Sequence, residues 1–341
     1  VPGRQETLAI AQDAAPAQHN GPRHPLVIVT PVYEDRVAST QLFHELAARL
    51  GHAIHIVAVD DGSVREPLDP SAIAAAGLDG TVLRLRRNVG HQRAIAAGLN
   101  FLAAAPGAAQ RIVVMDSDGE DRPASIPALL APLDGPDVDV VVAHRRSRVE
   151  TLGFRASYRF YKLLFRLLAG RPIAFGNFIA LTPAALSRLA AMQELWIHFA
   201  ACVLASRLRI VDCPQDRGTR YAGHSQMSFV SLALHGFKAL MVFAEDVLVR
   251  VGIACTLVAL LSVAGVAAAV VLKAAGYATP GWFSITLGIL LLVFLQTGTL
   301  TLITLMLSGT VRGGAGTPPD WRPLVESVSD VRAGATAAGP A

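Results

Sequence analysis

Cysteine is scarce in this chain. Cys202, Cys213 and Cys255 are the full set, with no CxxC pair and no histidine at metal-site spacing, which excludes a disulfide framework and a zinc ribbon. A sparse, odd number of thiols fits a reducing compartment. Lysine is equally scarce. Apart from Lys162, Lys238 and Lys273 the positive charge is arginine, whose planar fork binds phosphate in a way lysine cannot. These arginines form no long basic stripe with interleaved aromatics, and aromatics make up only 6% of the chain, so nucleic acid is not an expected partner. Charged residues amount to 16% and hydrophobic residues to 52%, a balance too apolar for an ordinary soluble domain. The apolar excess lies after residue 225, which divides the chain into a soluble part and a membrane part. The formal net charge of +4 suits a phosphate-bearing ligand or an anionic membrane surface. Residues 1–24 lack an apolar h-region, so a signal peptide is not expected and the segment reads as a flexible leader.

From residue 25 onward, strands and helices alternate. LVIVT at 26–30, between two prolines, reads as a buried strand, and 36–50 has helical spacing of Val37, Leu42, Leu46 and Leu50. Further strands are expected at 54–59, 81–85, 111–115 and 138–143, with a helix at 92–105. Strands apolar on both faces and separated by helices predict a mostly parallel sheet with helices on each side. In such sheets ligands bind outside the carboxyl ends of the strands. Three polar clusters fall at those ends: 30–34, 60–63 and 116–121.

Two uncharged apolar segments come later, 251–272 and 282–307, joined by a short turn-like link around Gly276 to Gly281. Each exceeds the roughly 20 residues a helix needs to cross a bilayer, so a transmembrane hairpin is expected rather than two buried helices of a soluble core. Arg250 precedes the first span and Arg312 follows the second, which places both ends in the cytoplasm, with Lys273 as a minor counter-indication. The stretch 225–246 is apolar yet holds His235, Lys238 and Glu245; it either lies in the membrane interface or packs on the soluble domain. The expected domains are 25–224, the interfacial region 225–246, two spans within 247–308, and a mobile tail at 309–341. Small residues at 264–269 could pack against another helix, including one of a second copy.

Asp116-Ser117-Asp118 directly follows the strand RIVVM. Two carboxylates one residue apart at a strand end can converge on a hard cation such as Mg²⁺ or Mn²⁺, which also bridges diphosphate oxygens. Asp60-Asp61 at a second strand end strengthens that reading. His91, His198, His224 and His235 are scattered and read as core or surface residues.

TPVYE at 30–34, VAVDDGS at 57–63, RNVGHQRAIAAGL at 87–99 and VVMDSDGEDRP at 113–123 resemble, in order, the motifs of family 2 glycosyltransferases with the GT-A fold. The similarity is strongest to the polyprenyl-phosphate glycosyltransferase branch, which includes dolichol-phosphate mannose synthase, and it covers roughly residues 25–310. The resemblance implies a nucleotide-sugar donor, a polyprenyl phosphate acceptor such as undecaprenyl phosphate, and a divalent metal. It implies a bacterial cytoplasmic membrane protein whose catalytic domain faces the cytoplasm. Pro31, Tyr33 and Glu34 would line the nucleotide pocket, Asp61 would contact base or ribose with Asp60 behind it, and Asn88 and Gly90 would lie near the donor. Asp116 and Asp118 would hold metal and diphosphate. The usual glutamine is Glu120 here, a third metal ligand or a structural residue. Arg145, Arg155, Arg217, Arg220 and Ser225 match acceptor-phosphate positions, and Gln226 replaces the family's lysine.

The resemblance implies inverting displacement at the anomeric carbon. A lipid monophosphate, with a second pKa of about 6, is already anionic at neutral pH and needs positioning more than deprotonation. The alternative is a glycosyltransferase acting on a hydroxyl acceptor, for which Glu194 is the candidate base. The QxxRW motif of processive members is absent. A catalytically inactive membrane adaptor is the other alternative, and the intact Asp61, Asp116 and Asp118 argue against it.

Overall fold

The computed structural model describes residues 21–22, 24–145, 165–170, 175–221, 229–277, 281–313 and 318–334. Among these, eight strands form one sheet: β1 Leu26–Val32, β2 Ile54–Asp60, β3 Asp79–Leu85, β4 Arg111–Val114, β5 Val140–Arg145, β6 Ile179–Leu181, β7 Ile210–Gln215 and β8 Val325–Val331. Their order across the sheet is β7-β5-β6-β4-β1-β2-β3-β8. The centre, β4-β1-β2-β3, is parallel as expected. The flanks are mixed: β6 runs antiparallel to both β4 and β5, and β8 antiparallel to β3.

Residues of β1 alternate between two cores. Val27 and Val29 join Val57 and Val59 of β2 under helix α3, His91–Ala104. Ile28 joins Ile56 and Ala58 under helix α1, Arg36–Leu50, which contributes Leu42, Phe43 and Leu46. Fully burying such side chains stabilises by about 1.5–3 kcal/mol each. Gly98 lets α3 lie close to the sheet, since a Cβ there would come within 2.8 Å of Val59 and 2.9 Å of Val29. Short helices α2, Ser71–Ala75, and α4, Ile126–Leu130, complete the α1 face. Helices α5, Pro183–Ala190, and α6, Phe199–Ala205, complete the α3 face.

β1 has β2 on one side and β4 on the other, so the carboxyl ends of these three parallel strands lie side by side; chain leaving β1 and chain leaving β4 both turn to the α1 face, whereas chain leaving β3 turns to the α3 face. The three polar clusters read from the sequence sit on these adjacent strand ends.

Beyond the sheet come α7, Phe229–Met241, α8, Ala244–Ala274, and α9, Trp282–Gly313. The last two are long and apolar enough to cross a membrane, with mean hydropathy 2.5 and 2.1 in their best windows. They pack on each other, but most of their large side chains, among them Leu261, Leu292 and Leu302, face outward. That pattern suits lipid and not the interior of a soluble core. A Cβ on Gly252 would lie 3.2 Å from Thr304, and one on Gly265 would lie 3.2 Å from Leu290. Gly265 of the small-residue stretch is thus in contact with α9 of the same chain.

The expected mobile tail differs from what is found. Residues 325–331 form β8 on the β3 edge, and Trp321 packs edge-on against Phe101 of α3 at 5.4 Å between centroids. Leu324 accepts from the Arg86 N–H, Asp330 accepts from the Thr81 hydroxyl, and Asp79 accepts from the Ala333 N–H. An exposed parallel edge leaves its N–H and C=O groups unpaired, and β8 covers it.

Candidate active site

Asp60 and Asp61 end β2 and are buried. The Asp60 carboxylate accepts from the backbone N–H of Ser63 at 2.9 Å and of Leu68 at 3.1 Å, which shapes the loop after the strand. Asp61 accepts from Val89 at 2.7 Å and Gly90 at 3.0 Å, so it anchors the loop that leads into α3. Burial raises the Asp61 pKa to about 6 against the opposing pull of those two N–H groups. Asn88, beside this anchor, is exposed.

At the end of β1, Pro31 is buried and Tyr33 is 50% exposed, an aromatic face open to a flat ligand. Glu34 takes the left-handed conformation (φ 48), a strained choice for a non-glycine residue. Its carboxylate compensates by accepting from the successive N–H groups of Val64, Arg65 and Glu66. Those bonds, led by the one from Val64, hold its pKa down despite the burial.

The carboxylate loop after β4 is ordered from within. Asp121 accepts from the Asp116 N–H, and Asp118 accepts from the Glu120 N–H, both at 3.0 Å. Gly119 has φ 88, and a Cβ there would meet the Tyr221 ring at 2.7 Å. Segment 217–221 lies directly on this loop. Gly218 N–H donates to the Glu120 carbonyl and Tyr221 N–H to the Asp118 carbonyl. Arg220 donates through Nε to Glu120 at 2.8 Å and reaches Asp118 Oδ2 through Nη2 at 3.2 Å. Arg217 also pairs with Glu120, and the Tyr221 hydroxyl donates to Glu45.

Charge explains the arrangement. Burial raises the Asp118 pKa, and the nearby Asp116 and Glu120 add to the rise. Burial alone would also raise Glu120, but its two arginine partners outweigh that and lower it. Asp35, just before α1, is raised by burial and then by the charges of Asp118 and Glu66. An acidic cluster of this kind favours an added cation. Asp116 and Asp118 offer hard oxygen ligands for one, and the donor set fits Mg²⁺ or Mn²⁺. Among the described residues no group of three or more His, Cys, Asp or Glu converges as a ready-made metal site. Glu120 faces Arg217 and Arg220 here.

Arg145 ends β5, where its backbone pairs with Gln215 of β7. Arg155 and Ser225 lie outside the described residues. Glu194 sits in the short turn Gln193–Trp196 before α6. Two histidines read as scattered have specific places. His91, first residue of α3, brings Nε2 to 3.1 Å from Asp116 Oδ1. Burial lowers its pKa, but Asp116 more than offsets this and the net shift is upward. His198 and His235 face each other, Nε2 to Nε2, at 3.0 Å. The one sequence signal for His91 was its place straight after Gly90, at the opening of a helix aimed at the strand ends.

A parallel α/β core with its polar residues gathered at one carboxyl edge defines a nucleotide-binding type of enzyme fold. Residues 27–196, from β1 to the turn before α6, match the family described as glycosyl transferase family 2. Residues 27–196 therefore carry a domain of the glycosyl transferase family 2 type. A curated relative is the dodecaprenyl-phosphate galacturonate synthase of Rhizobium johnstonii, 29% identical over 136 residues. That alignment covers 38% of this chain and 38% of the relative's length. Similar solved structures include glucosyl-3-phosphoglycerate synthase from Mycobacterium tuberculosis with Mn²⁺, UDP and glucosyl-3-phosphoglycerate. It has a TM-score of 0.49 and 16% identity, covering 66% of this chain and 80% of that one. The same enzyme with Mg²⁺ and UDP gives 0.43 and 13%, covering 66% and 79%.

Proposed function

We propose that the protein transfers a sugar, with inversion, from a nucleotide-sugar to a polyprenyl phosphate at the cytoplasmic face of a bacterial inner membrane. The observation that carries this reading is the placement of Arg217 and Arg220 on the Asp118–Glu120 loop, in a chain with two membrane-length helices. Guanidinium groups beside a donor site suit an acceptor that is itself a phosphate, and the curated relative is named for a dodecaprenyl-phosphate product.

In this reading Tyr33 offers a face to the base, and Asp61, with Asp60 behind it, borders the nucleoside. Pro31, Glu34, Asn88 and Gly90 shape that pocket. Asp116 and Asp118 would hold a divalent metal, which when bound offsets the charge of the departing diphosphate. Arg217 and Arg220, with Arg145, Arg155 and Ser225, orient the lipid phosphate. A phosphate oxygen already anionic at neutral pH attacks without a general base, so Glu194 has no necessary role. A UDP-sugar is the favoured donor, with GDP-mannose the next candidate.

The test is transfer in detergent. The purified full chain is incubated with Mg²⁺ or Mn²⁺, undecaprenyl phosphate and labelled UDP- and GDP-sugars, UDP-galacturonate among them, and label is counted in the organic phase. Metal-dependent transfer from one donor is the expected result. Donor binding without transfer to any polyprenyl phosphate overturns the acceptor assignment.

A further inference from the structure

Polar side chains within the two long helices are mostly satisfied by their own helix. On α9 the hydroxyls of Thr297, Thr299 and Thr301 donate to carbonyls one turn back, and Thr304 donates to Thr301. On α8 Thr256 and Ser262 do the same. Gln296 of α9 is different. Its side chain is exposed, and among the described residues no group donates to its amide or accepts from it.

Gln296 lies deep in the apolar stretch Trp282–Leu307. At about 1.5 Å of rise per residue it is roughly 21 Å from Trp282 and roughly 17 Å from Leu307. A hydrocarbon core of about 30 Å therefore encloses it, and two methylenes do not carry an amide from there to water. A carboxamide left without partners in hydrocarbon is unfavourable, and polar groups of this kind in spans turn towards other helices.

The residues around Gln296 form a pattern. Ile289, Leu292, Gln296, Thr299, Ile303 and Met306 follow one another at alternating steps of three and four, and all six are exposed. That is the a/d seam of a heptad repeat, with Gln296 at its middle a position. It is not the side of α9 that packs on α8. That contact runs through Leu290 beside Gly265 and Thr304 beside Gly252. The seam is a second side, with nothing of this chain against it.

A carboxamide both donates and accepts, so another carboxamide complements it. Two copies inserted with their catalytic domains on the same side present α9 parallel to α9. A two-fold axis along the membrane normal then sets each seam residue opposite its own counterpart, and Gln296 meets Gln296. One polar residue at an a position fixes the register and number of helices in such a seam.

We propose that the exposed seam of α9 is the interface for a second copy of this chain, held in register by hydrogen bonding between the two Gln296 amides. The proposal rests on the reading of α9 as a membrane span.

The experiment uses the full chain reconstituted in lipid vesicles. Copies carrying donor and acceptor dyes are mixed, and energy transfer is followed as the protein is diluted in lipid. Leucine suits hydrocarbon better than an amide, so Gln296→Leu is expected to insert and to melt like wild type. Its dimer is expected to dissociate about 3- to 30-fold more readily, the range that polar contacts between spans supply. Crosslinking locates the face, in a background where Cys202, Cys213 and Cys255 are replaced by Ser. Ile289→Cys and Ile303→Cys are expected to join two copies on oxidation. Leu291→Cys and Leu305→Cys, comparably exposed but away from the seam, are not. Undiminished association of Gln296→Leu overturns the proposal. So does crosslinking as strong at Leu291→Cys and Leu305→Cys as at the seam, or a wild type that stays monomeric at every density in lipid, whatever other membrane protein it binds. Alkaline carbonate separates the two levels. If it strips the chain from the vesicles, the span and the seam fall together. If the chain resists it and Gln296→Leu associates like wild type, the seam alone is wrong.

Discussion

Asp118 works from both ends of the residue. Its carbonyl receives Tyr221 N–H, and its carboxylate receives Glu120 N–H and Arg220. Replacing it by Ala leaves the carbonyl bond intact, so Asp118→Ala is expected to fold, with circular dichroism like wild type, and to lose all turnover in the transfer assay. Full activity in that variant would remove Asp118 from the site. The His198–His235 contact makes a different prediction. Burial, then the neighbouring His235, lowers the His198 pKa from 6.5 to about 3, and burial lowers His235 as well. The unfolded chain takes up protons that the folded chain refuses, so this contribution to stability is full above about pH 6.5 and is lost as pH falls towards 3. Asp61, raised to about 6, titrates in the same window with the opposite sign. The comparison is therefore wild type against His198→Asn, which keeps a side-chain acceptor for the α6 cap. The variant's melting temperature is expected to fall less between pH 7 and pH 5. Residues of this kind were the least legible in the sequence. The carboxylates stood out because they follow buried strands, whereas His91 is brought to Asp116 only by the tertiary packing of α3 against β4. Glu120 could be read either way, and it took the position of Arg217 and Arg220 to show what it faces.

Among the elements, the central strands were plain in the sequence because they are buried on both sides and so are continuously apolar. β1 through β5 fall within a few residues of where the apolar runs put them, and α1 matches at 36–50. β6, β7 and β8 were not anticipated. β6 has three residues, β7 contains Pro214 and is only half-buried, and β8 reads VESVSDV, with polar residues in adjacent pairs rather than in alternation. β7 and β8 are edge strands, whose partly exposed positions lack the apolar signature, and β6 is buried but too short to give one. β8 also comes after two long apolar helices, where a return to the sheet has no local signal. Its attachment depends on Trp321 as well as on ladder bonds. Trp321→Ala is expected to cost roughly 2 kcal/mol, below the full core value because the ring is half-buried, and to expose the β3 edge to limited proteolysis. Unchanged melting and unchanged digestion would show that the strand holds itself in place.

At the scale of the molecule, β3 precedes α8 and α9 in the chain and β8 comes after them, yet the two strands are neighbours in one sheet. Any crossings made between them must be even in number. If one helix spans the bilayer, so does the other, and residues 318–334 lie on the same side as the catalytic domain. Parity puts both ends on one side without counting charges, and the expectation from Arg250 and Arg312 is what makes that side the cytoplasm. Together they predict the outcome of labelling in intact cells with a membrane-impermeant maleimide, in a background where Cys202, Cys213 and Cys255 are replaced by Ser. Tyr277→Cys, in the turn between the helices, is expected to label, and Glu326→Cys to label only after the cells are opened. Labelling of both from outside would break the hairpin assignment.

That same strand sets a schedule. Thr81 and Asp330, hydrogen-bonded in the finished sheet, are 249 residues apart in the sequence. At about 5–20 residues per second, tens of seconds pass on the ribosome between the two. Through that interval β3 is an open edge, and both helices emerge before its partner does. Completion of the catalytic sheet therefore waits until both long helices have been made.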